Sequence, residues 1–250
     1  MTTPAERYAA AKLRGQHPVT TEFLLTFDFE FDPFQITACH AVEDGKGVLV
    51  AAPTGAGKTV VGEFAAYFAL QAGKKCFYTT PIKALSNQKY SEFVAKFGED
   101  RVGLLTGDTS INGDAEILVM TTEVLRNMLY AGSNTLTNLG CVVMDEVHYL
   151  ADKFRGAVWE EVLIHLMESV QVISLSATVS NAEEFGEWLG EVRGETEVIV
   201  SEIRPIPLYQ HVLIGSRLMD LFEQPGKINP EILQREREAI RRSALGRNRR

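Results

Sequence analysis

From residue 47 onward, short apolar runs alternate with longer segments whose apolar residues recur every three or four positions. GVLVAA (47–52), KCFYTT (75–80), RVGLLT (101–106), EILVMT (116–121), CVVMDE (141–146) and VQVISLSAT (170–178) are predicted strands. Most are apolar without period-2 alternation, the pattern of strands covered on both faces. Between them, residues 58–73, 84–98, 122–131, 157–168 and 181–190 have helical spacing, and several end at a glycine. Repeated strand–helix alternation predicts an α/β fold: a doubly wound parallel sheet with helices on both faces and ligands at the carboxyl ends of the strands.

The ends of the chain differ. Residues 1–20 hold one short helix candidate with little to pack on, and are expected to form an extension. The single domain is expected over residues 21–215. Apolar density falls from Met219, and the Arg-rich stretch 234–250 is expected to be a solvated helix or frayed tail.

Composition adds constraints rather than a function. The hydrophobic fraction of 45% and charged fraction of 23% are those of an ordinary globular protein. No apolar run approaches the ~20 residues of a membrane span, and residues 1–18 lack the apolar stretch of a secretory signal. Cys39, Cys76 and Cys141 stand singly in apolar surroundings, which fits buried thiols and a cytoplasmic location. The net charge of −8 argues against broad electrostatic capture of nucleic acid. A narrow track of backbone contacts remains compatible with it.

The chemistry begins at Ala52-Pro53-Thr54-Gly55-Ala56-Gly57-Lys58-Thr59, between a predicted strand and a predicted helix. This is P-loop spacing, with Ala52 where the pattern has its first Gly. Gly55 and Gly57 let the backbone curl so that successive amides face phosphate oxygens, and the helix N-terminus adds its dipole. Lys58 can reach the β- and γ-phosphates of ATP, and the Thr59 hydroxyl can ligate Mg²⁺. A second apolar strand runs into Asp145-Glu146. In the same sheet, Asp145 is expected to hold Mg²⁺ through water, while Glu146 orients and deprotonates the attacking water.

Asp145-Glu146-Val147-His148 reads as a DEVH box, and Ser176-Ala177-Thr178 closes the next strand. Together with the P-loop these resemble superfamily 2 helicases, and imply a single RecA-like domain rather than a small-molecule kinase. Phe31-Asp32-Pro33-Phe34-Gln35 looks like the adenine-reading Q motif, with Phe29 where superkiller-type relatives carry an aromatic beside the base. Residues 80–85, 106–108 and 121–126 are similar to motifs Ia, Ib and Ic. The resemblance implies backbone contacts to nucleic acid from Pro81, Lys83, Gly107, Thr121 and Arg126. It also gives His148, Ser176 and Thr178 the role of coupling hydrolysis to strand movement. Arg155-Gly156, Trp159-Glu160-Glu161 and the run 175–190 resemble the superkiller-type (HelY-like) DExH-box RNA helicases. Trp159 itself reads as a packing residue.

The resemblance implies a 3′-to-5′ motor on single-stranded nucleic acid, RNA ahead of DNA. It also implies a second RecA-like domain that supplies an arginine finger. The 72 residues after Thr178 are too few for that domain. The chain is therefore expected to be a piece of a longer protein, with 216–250 a linker or truncated tail, binding ATP weakly and turning it over slowly. Gly246-Arg247-Asn248-Arg249-Arg250 superficially matches the finger motif but has no strand before it. A DNA helicase of the same superfamily and a non-hydrolysing binding module are the alternatives. A metabolic P-loop kinase would lack Gln35 and the SAT motif.

Overall fold

The computed structural model describes residues 15–152, 156–177, 181–224 and 226–237. The chain divides into two compact units, Met1–Arg204 and Pro205–Arg250. In the first, eight strands form one sheet: β1 (Gly47–Ala51), β2 (Lys75–Thr80), β3 (Val102–Leu105), β4 (Ser110–Ile111), β5 (Ile117–Thr121), β6 (Leu139–Met144), β7 (Gln171–Ser176) and β8 (Thr196–Val200). Their order is β4-β3-β5-β2-β6-β7-β1-β8. Every pairing is parallel except that of β4 with β3.

Why the strands are apolar throughout is visible in their partners. Successive side chains point to opposite faces, and each face is the floor of a separate core. Val48 and Val50, Cys76 and Tyr78, Cys141 and Val143 pack on one side. Leu49, Phe77, Val142 and Met144 pack on the other. The first face is covered by α1 (Pro18–Leu24), α2 (Pro33–Glu43), α3 (Thr59–Gln71) and α4 (Lys83–Phe97). The second is covered by α5 (Thr122–Tyr130), α6 (Gly156–His165) and α7 (Ala182–Arg193). Trp159 is 1% exposed among the second set, a packing residue as expected.

Two expectations need correction and two elements are additions. The segment around residue 20 does have something to pack on: Phe23 of α1 is buried against Phe64 and Tyr67 of α3, and Glu43 accepts hydrogen bonds from the Val19 and Thr20 amides. The Q-motif region forms a helix, α2, with Pro33 at its first position, where a missing N–H costs nothing. A short edge strand, β8, pairs with β1 and closes that side of the sheet. Finally, β6 ends at Met144, because Glu146 adopts a left-handed conformation (φ 56°) that no strand continues.

The second unit begins irregularly and then forms an antiparallel hairpin, β9 (His211–Ile214) with β10 (Arg217–Asp220), turning at Gly215 with φ 65°. A smaller pair follows, β11 (Phe222–Gln224) with β12 (Lys227–Ile228), and residues 230–237 are helical. Arg155, Thr178 and Gly246–Arg250 lie outside the described residues. Cys39, Cys76 and Cys141 are buried free thiols. Among the described residues no helix is long and apolar enough to cross a membrane.

Candidate nucleotide site and nucleic-acid track

Residues 52–58 leave β1 and enter α3 at Thr59. Gly55 (φ 86°) and Gly57 (φ 83°) supply the curl that other residues resist. In the first turn of α3 the Val60 and Val61 amides donate to the Gly57 and Lys58 carbonyls at 3.3 and 3.0 Å, and the helix N-terminus turns its dipole toward the loop as an anion-binding end. Lys58 is 8% exposed, and its ammonium donates to the carbonyls of Ala52 at 2.7 Å and Pro53 at 3.1 Å. Burial lowers its pKa, against the opposing pull of Glu146 and then Asp145. Those charges act on Lys58 across the sheet edge, so the fold brings the P-loop and the DEVH box together.

Gln35 is 4% exposed and tied to this loop. Its Nε2 donates to the Gly57 carbonyl at 3.0 Å, and its Oε1 accepts from the Asp32 amide at 2.9 Å. An amide side chain has a second N–H and a second lone pair, which are what an adenine edge would use. Phe29 is 54% exposed at the end of an aromatic row, 4.8 Å from Phe31 and 5.2 Å from Phe27 between ring centres.

Asp145 is held on three sides. Its amide donates to the Thr79 carbonyl at 3.0 Å, and its carboxylate accepts from the Glu146 amide at 3.0 Å and from the Tyr78 hydroxyl at 2.7 Å. Burial and the neighbouring Asp145 charge raise the pKa of Glu146, with His148 and Lys58 pulling the other way. Glu146 Oε2 stands 3.2 Å from His148 Nδ1 without hydrogen-bond alignment. A carboxylate so placed is a stronger proton acceptor than a solvated one.

Among the described residues no group of three or more His, Cys, Asp and Glu could hold a metal alone. Magnesium, however, usually takes one or two carboxylates and completes its shell with phosphate oxygens and water. The Thr59 hydroxyl with the Asp145 carboxylate is an oxygen donor set of that kind, so the residues fit the ion.

Ser176 ends β7 directly beside the loop: it pairs with Ala51 in register, and its carbonyl accepts from the Ala52 amide at 3.1 Å. His148 and Ser176 line one cleft with Glu160, Phe185 and Trp188. The P-loop, DEVH and SAT segments thus leave the same edge of three neighbouring strands, β1, β6 and β7.

The remaining candidates leave that edge from β2, β3 and β5, also neighbours. Pro81 follows β2, Lys83 opens α4, Gly107 is exposed after β3, and Thr121 ends β5 in register with Thr80. Two of the expected cations are already engaged. Lys83 Nζ lies 2.7 Å from both oxygens of Asp108. Arg126 donates to Asn127 Oδ1 at 3.2 and 3.0 Å, with Glu161 at 3.7 Å. Sequence reasoning passed over Tyr78 and Asp108. The only available signal was a hydroxyl-bearing side chain inside a buried strand, in the first case.

A family model described as "DEAD/DEAH box helicase" matches residues 32–185. "Probable helicase HelY" of Mycobacterium leprae (strain TN) is 61% identical over 217 residues, 85% of this chain and 24% of that protein. "ATP-dependent RNA helicase mtr4" of Schizosaccharomyces pombe (strain 972 / ATCC 24843) is 49% identical over 192 residues, 76% of this chain and 17% of that protein. Among solved structures, that of Mycobacterium smegmatis helicase Lhr bound to ssDNA and AMP-PNP is similar, with a TM-score of 0.58. It is 30% identical and covers 73% of this chain and 27% of that one. The chain spans about a quarter of the length of its HelY relatives.

Proposed function

The chain belongs to the DEAD/DEAH box helicase family, and on that premise we propose that it is the first RecA-like, ATP-binding half of an ATP-dependent 3′-to-5′ RNA helicase. The observation that carries this reading is the division of one sheet edge. Strands β1, β6 and β7 deliver the nucleotide residues, and β2, β3 and β5 deliver a track beside them. The relatives named as ATP-dependent RNA helicases support the choice of RNA.

In this reading residues 52–59 cradle the phosphates, with Lys58 leaving its loop carbonyls for the β- and γ-phosphate oxygens. Thr59 and Asp145 would hold Mg²⁺, which would neutralise charge on the phosphates. Glu146 orients a water and takes its proton as the water oxygen bonds to the γ-phosphorus and the bond to ADP breaks. Gln35 and Phe29 read adenine. His148, Ser176 and Thr178 pass the change to a second RecA-like domain, whose arginine completes the site. Pro81, Lys83, Gly107, Thr121 and Arg126 grip the sugar–phosphate backbone with little base preference. Residues 21–215 make this domain, 216–250 lead toward the second, and 1–20 extend it. The buried free thiols support a cytoplasmic location.

A DNA motor is the second reading, favoured by the similarity to a helicase solved with ssDNA. ATPase assays of the longer protein with matched RNA and DNA strands separate the two. The proposal expects RNA to stimulate turnover more than DNA. Turnover indifferent to both nucleic acids defeats it.

A further inference from the structure

Tyr78 belongs to none of the motifs above, yet it makes the shortest side-chain contact to Asp145. We propose that Tyr78 is a positioning residue for Asp145, fixing the carboxylate in the orientation that engages the magnesium–nucleotide complex. The inference rests on the assignment of Asp145 to magnesium.

Two features point to this role. First, packing alone does not need the hydroxyl. The ring is fully buried, edge-on to Phe93 with centroids 5.1 Å apart, and phenylalanine would fill the same space. Burying a hydroxyl without a partner is costly, and its only partner among the described residues is Asp145 Oδ2 at 2.7 Å. Second, α3 carries a glycine opposite the ring. A Cβ at Gly62 would come within 2.8 Å of Tyr78 Cε2 and 3.1 Å of Val143 Cγ1. Glycine inside a helix costs roughly 1 kcal/mol relative to alanine, so α3 gives up local stability and thereby leaves the ring its socket.

The geometry gives the bond a specific consequence. Asp145 leaves the sheet at the point where the strand breaks, so nothing in the ladder beyond its own amide orients its side chain. The Glu146 amide fixes Oδ1 and the Tyr78 hydroxyl fixes Oδ2. Partners of this kind behind a ligating group commonly matter by about 10- to 100-fold in metal affinity.

The test is fluorescence binding of N-methylanthraniloyl-ADP to the 250-residue chain, titrated with MgCl₂, for the parent, Asp145→Asn, Tyr78→Phe and Gly62→Ala. Tyr78→Phe is expected to leave affinity in EDTA unchanged while raising the Mg²⁺ concentration at half effect about tenfold. Gly62→Ala keeps the hydroxyl but displaces the ring, and is expected to shift the midpoint the same way. It decides the matter if Tyr78→Phe lowers cooperativity of thermal unfolding. A midpoint raised by Asp145→Asn but by neither other variant overturns the positioning role alone. A midpoint that Asp145→Asn also leaves unchanged overturns the magnesium assignment, and the positioning role falls with it.

Discussion

Gln35 and Gly57 are joined by a 3.0 Å hydrogen bond from the side-chain amide to the loop carbonyl. Gly57 has φ 83°, and a Cβ there would sit 2.5 Å from Gln35 Nε2. The residue expected to read the base is thus also a strut of the loop expected to hold the phosphates. Gln35→Ala should therefore weaken binding of ADP as well as discrimination between ADP and GDP, by about tenfold in affinity for the loss of one to two buried hydrogen bonds. Competition of unlabelled nucleotides against a fluorescent ADP measures both effects. Loss of base preference with unchanged ADP affinity would show that the strut is unimportant.

Glu146 sets a pH dependence with a definite sign. Its pKa is raised, chiefly by burial and then by Asp145, so the folded chain prefers the neutral acid. That preference contributes stability below the ordinary carboxylate range and becomes a cost as pH rises through the raised value. Attraction from Lys58 and His148 is already included in that balance. Glu146→Gln, permanently neutral, is expected to raise the melting temperature at pH 7.5 by about 1–3 °C. The gain should vanish near pH 4. Calorimetric melts at both pH values check it, and a lower melting temperature at pH 7.5 would contradict the assignment.

The same raised pKa governs turnover. As the proton acceptor, Glu146 must be ionised, so ATPase activity of the longer protein with saturating nucleic acid should fall on the acid side, approaching tenfold per pH unit. Glu146→Gln should remove hydrolysis while sparing nucleotide binding. A flat acid limb in kcat would exclude this residue as the base.

Much of this arrangement was legible in the sequence because the relevant constraints are local. Glycines 55 and 57 advertise the backbone turn they make, and strands buried on both faces read as unbroken apolar runs. β8 was missed because Thr196–Val200 is a five-residue edge strand with only three consecutive apolar residues, too short a run to mark a strand. The Tyr78–Asp145 bond depends on how β2 lies against β6, across 67 residues of chain, and no local pattern encodes that register. The Lys83–Asp108 pair likewise spans 25 residues, so no local pattern shows that Lys83 has a carboxylate partner.

That pair leads to a prediction on nucleic-acid affinity. Both groups are largely exposed, and hydrogen bonds from Lys83 and Thr106 hold the Asp108 carboxyl below its usual range. A phosphate arriving at Lys83 must displace Asp108. Asp108→Asn should therefore tighten binding of a labelled oligouridine severalfold and steepen its salt dependence, by about 0.7 in the log–log slope for one more available cation. Adding Lys83→Ala to the Asp108→Asn chain should undo both changes. Anisotropy titrations at several salt concentrations read both, and an Asp108→Asn chain that binds RNA no better would place Lys83 outside the track.

The central claim is that residues 52–59 and 145–146 form one site for the phosphates and magnesium of ATP. The most direct test is equilibrium binding of fluorescent ADP to this chain with and without Mg²⁺, for the parent and Lys58→Ala. Saturable, Mg²⁺-enhanced binding that ATP displaces more effectively than GTP, weakened by about tenfold or more in Lys58→Ala, is the predicted result. Binding that is unsaturable in the parent, or equal in the two chains, would contradict it.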